Sequence, residues 1–147
     1  MNIINFVQVS EDLASSGQPT EADFKKIAKL GYTAIINLAL STSDNAIPNE
    51  GDIVTELGMT YIHIPVQWQN PMLEQFEVFA TIMRQLSGKK IWLHCALNMR
   101  VSAFLYLYST LYQNLPKNVA SQKLSEVWQP NEVWSEFISN IQNSHNK

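Results

Sequence analysis

Three short apolar runs alternate with helical patterns along the middle of the chain. They are Ala34-Ile35-Ile36-Asn37-Leu38, Tyr61-Ile62-His63-Ile64 and Lys90-Ile91-Trp92-Leu93-His94, recurring about every 26 to 30 residues. Such alternation is typical of βαβ units whose strands are covered on both faces. Two further runs, Phe6 to Val9 and Leu13 to Ser16, predict an N-terminal hairpin at one edge of the sheet. We therefore predict an α/β fold with a central, mostly parallel sheet of four to five strands flanked by helices.

The ends of several helices can be read from capping residues. Thr20, followed by two early carboxylates, begins the first helix, and Gly31 ends it. A shorter helix is predicted from Glu50 to Leu57. The pair Asn70-Pro71 is predicted to open a longer helix with the proline at its first position, and Gly88 to close it.

The last third of the chain is predicted to be helical and to supply much of the core. The segment from Val101 to Leu115 is apolar nearly all round, which is typical of a central buried helix, and Pro116 ends it. Two more helices are predicted at residues 118–127 and 131–141. An apolar stripe on the last helix consists of Trp134, Phe137, Ile138 and Ile141. Packing, rather than ligand stacking, is the expected role of Trp92, Trp128 and Trp134.

Composition narrows the possible partners. The chain has 147 residues, a net charge of −3 and one cysteine, which predicts a single domain over residues 1–147 without disulfides or a multi-cysteine zinc site. The acidic balance and the lack of a Lys/Arg-rich run argue against nucleic acid or a membrane surface as a partner.

The sequence shows neither an export signal nor a membrane-spanning stretch, so a cytoplasmic protein is expected. No cofactor is indicated, and His63, His94 and Cys95 lack recognisable metal-ligand spacing.

Candidate chemistry is concentrated where the third apolar run ends. Cys95 begins a short loop there, and Arg100 follows five residues later at the start of the buried helix. A loop entering a helix N-terminus directs several N–H groups to one point, where the helix dipole favours anions. This setting favours the thiolate of Cys95, which is a nucleophile, and the Arg100 guanidinium can hold two oxygens of an oxyanion such as phosphate. The pair therefore suits displacement at a tetrahedral oxyanion through a covalent intermediate on sulfur.

Two residues in this stretch also have a structural interpretation. Cys95 could pack as a small buried hydrophobe, although its position at the carboxyl end of a strand favours anion binding. His94 either tunes the thiolate electrostatically or satisfies buried backbone groups.

Four segments carry a family resemblance: Ser16-Gly17-Gln18-Pro19-Thr20, Ile35-Ile36-Asn37-Leu38, Tyr61-Ile62-His63-Ile64-Pro65-Val66, and His94-Cys95 through Arg100 with the helix that follows. With them the chain resembles the cysteine-dependent protein tyrosine phosphatases, in particular compact bacterial proteins similar to dual-specificity phosphatases, over roughly Val7 to Phe137. The resemblance implies that Cys95 attacks phosphorus and that Arg100 binds the phosphoryl oxygens. It also implies that the remaining oxygens bind loop amides, which belong to Ala96, Leu97, Asn98, Met99 and Arg100.

The sequence departs from this family's pattern in three places. The loop is C-x4-R rather than C-x5-R, and it lacks the family's glycine, although Asn98 can adopt the left-handed conformation. Val101 replaces the usual Ser or Thr after the arginine, and Ser102 comes one position later. The loop expected to hold the general acid reads Gln67-Trp68-Gln69-Asn70-Pro71 and has no carboxylate. Supporting roles are predicted for His94, Ser102, Gln67 and Trp68, and Trp68 either contacts substrate or packs.

Three functions remain open on this basis. The first is a cysteine-dependent phosphatase that hydrolyses phosphate monoesters through a phosphocysteine, slowly on alkyl phosphates because a general acid is lacking. The second is a sulfurtransferase that carries a persulfide on Cys95, since rhodaneses use a loop of this shorter length. The third is a non-catalytic module that binds phosphate or another oxyanion. The expected partner is a phosphate-bearing small molecule or a phosphoprotein.

Overall fold

A computed structural model describes residues 1–145 of the chain. In this part of the chain there are five strands, β1 (Val7–Ser10), β2 (Leu13–Ser16), β3 (Ala34–Asn37), β4 (Thr60–His63) and β5 (Ile91–His94). The same residues contain six helices, α1 (Glu21–Lys29), α2 (Glu50–Glu56), α3 (Leu73–Gln85), α4 (Met99–Tyr112), α5 (Lys117–Ser125) and α6 (Glu132–His145).

The strands form one sheet in the order β1-β2-β5-β3-β4. The hairpin β1–β2 is antiparallel and lies at one edge, whereas β2, β5, β3 and β4 run parallel to one another. The predicted α/β fold, with its mostly parallel sheet and edge hairpin, is thus confirmed. Strand β5 lies in the middle of the sheet, so whatever follows it is placed at the centre of the carboxyl edge.

The central strands β3 and β5 are buried along their whole length, as expected for strands covered on both faces. Neighbouring side chains of β5 enter opposite cores because strand side chains alternate. Trp92 packs with Phe24 and Ile27 of α1 on one face. Leu93 packs on the other face, with the cluster supplied by α3, α4 and α6. Two apolar layers therefore fix the position and direction of β5.

Most predicted helix ends agree with the structure. Thr20 caps α1, with its hydroxyl accepting from the Asp23 amide and the Asp23 carboxylate accepting from the Thr20 amide. The predicted stripe on α6 is buried as expected. Trp92 and Trp134 are fully buried, and Trp128 packs against Trp134 and Trp68, which confirms packing roles for the three tryptophans.

The predicted start of α3 is wrong. The helix begins at Leu73 rather than at Pro71. Asn70 is instead part of a tight turn, since its amide donates to the Gln67 carbonyl at 3.2 Å. The cap forms two residues later, where the Gln75 side chain accepts from the Met72 amide at 3.0 Å.

Helix α4 also differs from its predicted bounds, because it begins at Met99 and therefore includes Arg100 in its first turn. Among residues 1–145, no helix is sufficiently long and apolar to cross a membrane.

Candidate active site

The carboxyl ends of the four parallel strands meet along one edge of the sheet. The strand register aligns Ser16, His94, Asn37 and His63, one from each parallel strand, in a single row. Cys95 directly follows His94, so the cysteine lies at the middle of this row and beside the N-terminus of α4. This is the edge at which ligands bind in open α/β sheets.

The loop after Cys95 turns into α4 through a left-handed residue. Asn98 has φ 66° and ψ 4° and occupies the N-cap position of the helix, so the predicted left-handed conformation is confirmed. Its side-chain amide donates to the Asn5 carbonyl at 2.8 Å and to the Ser15 hydroxyl at 3.1 Å. Asn98 therefore supplies a left-handed bend at the start of α4 and also connects the loop to Asn5 and to Ser15 of β2.

Two carbonyl groups of the loop accept hydrogen bonds from neighbouring segments. The Ala96 carbonyl accepts from the Gln18 amide at 3.1 Å and from the Asn45 side chain at 3.0 Å. The Leu97 carbonyl accepts from the Asn5 side chain at 2.9 Å. No acceptor within residues 1–145 takes a hydrogen bond from the amides of Ala96, Leu97, Met99 or Arg100. The loop thus presents uncommitted N–H donors, as an anion site requires.

Arg100 is a buried cation without a neighbouring anion. The residue is 8% exposed, and its Nε has no hydrogen-bond partner in the described chain. The ion pair found in this part of the chain joins His94 and Glu50 instead. Buried guanidinium groups ordinarily have a carboxylate or other acceptor, so the unpartnered Nε makes Arg100 a candidate anion-binding residue.

Trp68 has the packing role, one of the two that the sequence left open, and it also lies beside Arg100. Its ring packs 5.2 Å from the ring of Trp128 and 5.8 Å from that of Trp134, and its carbonyl accepts from the Trp134 indole at 2.9 Å. The Arg100 guanidinium carbon lies 5.5 Å from the centroid of the Trp68 ring. Packing against α6 therefore places Trp68 beside the candidate anion-binding arginine.

The other two supporting residues are arranged differently. Ser102 donates to the Met99 carbonyl at 2.9 Å and accepts from the Trp128 indole at 3.1 Å, so its hydroxyl is occupied on the side of the aromatic cluster. Gln67 is exposed at the start of the tight turn that ends at Asn70. Neither Ser102 nor Gln67 is a carboxylate that could act as the general acid. The nearest carboxylates along the chain, Glu74 and Glu77 on α3, are both exposed.

A buried carboxylate that sequence reasoning did not single out contacts His94. Glu50, the first residue of α2, is 6% exposed. One of its oxygens lies 2.7 Å from Nε2 of His94, and the other accepts from the Gln18 side chain at 2.6 Å. Nδ1 of His94 lies 3.2 Å from the Cys95 carbonyl oxygen. His94 thus bridges a buried carboxylate and the first peptide of the loop.

The charge of Glu50 is stabilised by these neighbours. Burial acts to raise the pKa of the Glu50 carboxyl, but hydrogen bonding and the charge of His94, aided by Gln18 and Tyr61, outweigh it and hold the pKa below its usual value. Burial raises the pKa of Tyr61 well above its ordinary value, and the negative charge of Glu50 adds to the effect. Tyr61 therefore stays a neutral hydroxyl, which accepts from the Asn37 side chain at 3.0 Å.

Two signals in the sequence could have pointed to Glu50. A histidine in a strand buried on both faces needs partners for both ring nitrogens. In addition, helix α2 follows β3 of the same sheet, so a carboxylate at the start of α2 lies near the carboxyl edge where His94 ends β5. Glu50 instead has the appearance of an ordinary helix N-terminal charge, and only the packing of α2 shows that it is buried.

Comparison with known proteins agrees with this arrangement. The family model described as "PTP-NADK: DSP-PTPase phosphatase fused to NAD+ Kinase" matches residues 7–130. The chain therefore belongs to this family of dual-specificity and tyrosine phosphatase-like domains. None of the curated proteins searched matches the sequence.

Solved structures include a similar protein from a bacterium. A candidate phosphatase (DUF442) from Shewanella putrefaciens CN-32 is 34% identical, with a TM-score of 0.88, and the alignment covers 98% of this chain and 95% of that one. The structural likeness extends to more distant phosphatases. Tk-PTP in its active form has a TM-score of 0.80 at 17% identity, covering 94% of this chain and 96% of the other.

The core catalytic domain of the PP-IP phosphatase SIW14 from S. cerevisiae, in complex with citrate, has a TM-score of 0.77 at 16% identity. That alignment covers 99% of this chain and 93% of the yeast domain. At such identities the two distant likenesses show a shared fold.

Proposed function

We propose that the protein is a cysteine-dependent phosphatase that hydrolyses phosphate monoesters through a phosphocysteine on Cys95. The observation that carries the proposal is the buried Arg100, whose Nε lacks a partner within residues 1–145, in the first turn of the helix that follows the cysteine loop. Membership of a phosphatase family supports the same reaction. The substrate class is a phosphate-bearing small molecule or a phosphoprotein.

The proposed reaction has two displacements at phosphorus. In the first, the Cys95 thiolate forms a bond to phosphorus, and the ester oxygen departs with the electron pair of the broken P–O bond. In the second, a water oxygen forms a bond to phosphorus and the P–S bond breaks with its electron pair left on sulfur, so that inorganic phosphate is released and the thiolate is regenerated. A proton of the water passes to the solvent, which also protonates the departed ester oxygen. Arg100 and the free loop amides hold the non-bridging oxygens, whose charge they stabilise in both transition states.

The departing oxygen receives little help from the loop where the family places its general acid. The turn from Gln67 to Asn70 contains no carboxylate, and general acid catalysis usually contributes about 10²–10⁴-fold. Activated aryl phosphates, whose leaving groups need no proton, should therefore turn over much faster than alkyl phosphates. The leaving-group dependence of kcat/KM should be steep.

The decisive experiment compares phosphate release from p-nitrophenyl phosphate by the wild type and by Cys95→Ser. We expect hydrolysis by the wild type, loss of hydrolysis in Cys95→Ser, and a rapidly quenched wild-type sample that carries phosphate on Cys95. Cys95→Ser should still bind inorganic phosphate, because Arg100 and the loop amides remain. Equal rates in the two proteins would contradict the proposal.

The same protein samples separate the other two functions. A non-catalytic module would bind phosphate in both variants and release none from the ester. A sulfurtransferase would form a Cys95 persulfide from thiosulfate and leave aryl phosphates intact. No contact in residues 1–145 favours sulfur transfer over phosphoryl transfer, and the named structural neighbours are phosphatases.

A further inference from the structure

We propose that Glu50 is a positioning residue that holds His94 as a donor from both ring nitrogens, and that the positive end of this buried pair helps to keep Cys95 as the reactive thiolate. The inference rests on the proposed function, since it concerns the same nucleophile. It adds to the site a residue from α2, far from Cys95 in the sequence.

The hydrogen-bond partners of His94 determine how many protons the pair holds. Nε2 faces a Glu50 carboxylate oxygen at 2.7 Å, and Nδ1 faces the Cys95 carbonyl oxygen at 3.2 Å. A carbonyl oxygen cannot donate, so Nδ1 must carry a proton for that hydrogen bond to form. The Nε2 contact then requires a second proton, which lies between the ring and the carboxylate.

The other groups around the pair favour placing that second proton on the ring. The second carboxylate oxygen of Glu50 accepts from the Gln18 side chain at 2.6 Å, which stabilises the ionised form. The ring of Phe24 lies 5.9 Å from the His94 ring and has no charge. From β3, Asn37 contributes a neutral amide, which bonds to the Tyr61 hydroxyl of β4. The titratable groups in this cluster are therefore Glu50, His94, Tyr61 and Cys95.

The positive end of the pair contacts the main chain of the residue that carries the nucleophile. His94 adjoins Cys95 in the chain and contacts its carbonyl oxygen, whereas Glu50 lies on the opposite side of the imidazole. His94 is fully buried and Glu50 nearly so, so the field of the pair is only weakly screened by water. A positive charge beside a thiol favours its ionised form. Replacing the Glu50 carboxylate removes the acceptor that the second ring proton faces, and should therefore weaken this effect.

The single cysteine allows a test that does not depend on catalysis. The second-order rate of alkylation by iodoacetamide, measured by intact mass between about pH 4 and pH 9, reports on Cys95 only. Because Cys95 is 1% exposed, its absolute rate also depends on access, so the midpoint of the pH profile is the quantity to compare. We expect the midpoint of this profile to rise by about one pH unit in Glu50→Gln, a tenfold change in the ionisation equilibrium. Glu56→Gln, an exposed position on the same helix, should leave the midpoint unchanged.

A purely structural role for Glu50 predicts a different result. Glu50→Gln would then unfold at a lower temperature, yet its alkylation midpoint would match that of the wild type, and the inference would be overturned. A downward shift would overturn it as well, because it would mean that the negative charge of Glu50 dominates at Cys95. Should Glu50→Gln fail to fold, Glu50→Asp retains the charge on a shorter side chain and should give an upward shift of smaller size. An unchanged midpoint in a folded Glu50→Asp would then count against the proposal.

The proposed function and this inference can fail separately. If the wild type does not hydrolyse aryl phosphates but Glu50→Gln shifts the alkylation profile, the positioning role stands and the phosphatase assignment falls. If hydrolysis depends on Cys95 but Glu50→Gln leaves the alkylation profile unchanged, the phosphatase assignment stands and the positioning role of Glu50 falls.

Discussion

The Arg100 guanidinium carbon lies 5.5 Å from the centroid of the Trp68 ring, so an aromatic face covers the cation proposed to bind phosphate. Trp68 is itself held by α6, whose Trp134 indole donates to the Trp68 carbonyl at 2.9 Å. Helix α6 thereby holds the backbone of the residue whose ring lies beside Arg100. The loop between β4 and α3 therefore contributes the Trp68 ring beside Arg100, and it contains no carboxylate.

This contact predicts a loss of anion affinity in Trp68→Ala. A cation–π interaction contributes about 0.5–2 kcal/mol, so the affinity for inorganic phosphate, measured by isothermal titration calorimetry, should fall by about two- to thirtyfold. Trp68→Phe keeps an aromatic face and should lie close to the wild type. Equal affinities in the wild type and a folded Trp68→Ala would show that the ring only packs.

The two arginines of the chain provide a matched pair for testing anion recognition. Arg100→Lys keeps the charge but loses the planar fork, and charged hydrogen bonds of this kind contribute about 1.5–3 kcal/mol. Phosphate affinity should therefore fall at least about tenfold. Arg84 lies over the ring of Tyr112, 4.9 Å from its centroid, and Arg84→Lys should bind phosphate as the wild type does. Equal losses in both variants would mean that the fall in affinity does not come from a specific site at Arg100.

The strands and most helices could be predicted from the sequence because their signals are local. Apolar runs identify β3, β4 and β5, and Thr20 with Asp23 identifies the start of α1. The start of α3 could not be predicted from Pro71, since the cap there comes from Gln75 and a turn at Gln67. Local rules cannot choose between two caps that lie within three residues of each other.

The candidate site was predicted in part for a similar reason. Cys95, Arg100 and the left-handed Asn98 lie in one continuous segment, so their spacing along the chain already indicates a loop at a helix N-terminus. Glu50 and Gln18 reach His94 only through the packing of α2 and of the segment after β2. Partners contributed by distant segments leave no periodic pattern, which is why the buried network was missed.

The close approach of Gly17 to the cysteine loop predicts a selective effect of Gly17→Ala. A Cβ atom there would lie 2.6 Å from the Ala96 carbonyl oxygen and would also overlap the Ile4 side chain. Overpacking of this kind costs about 1–3 kcal/mol, and it would displace the backbone that presents the free amides. We expect lower stability in urea denaturation together with a loss of phosphate affinity.

Gly58→Ala is the control for that change. Gly58 has φ 86°, and a Cβ atom there would meet no other part of the described chain within 4 Å. An alanine at this position therefore costs about 1–2 kcal/mol of backbone strain without touching the loop. Its stability should fall while its phosphate affinity stays the same. Parallel losses of affinity in the two variants would mean that affinity simply follows stability.

The buried pair of Glu50 and His94 predicts how stability depends on acid pH. The pKa of Glu50 in the folded protein lies below its ordinary value of 4.5, because His94, Gln18 and Tyr61 outweigh the effect of burial. The unfolded chain therefore binds a proton at Glu50 before the folded protein does, so stability falls as the pH falls from about 4.5 through the folded-state value. Above that window the contribution of the charged carboxylate is fully present.

Glu50→Gln lacks this titration, so the stability difference between wild type and variant should be at its full size at about pH 5.5 and should shrink as the pH falls below about 4.5. Charged hydrogen bonds suggest a difference of about 1.5–3 kcal/mol at the upper end. Urea denaturation at intervals across this range would measure it, with the exposed Glu56→Gln as the control that stays parallel to the wild type. A difference that is constant with pH would mean that Glu50 contributes through its shape and neutral hydrogen bonds. The carboxylate charge would then be absent from the folded protein, and with it the positive end that His94 presents to Cys95.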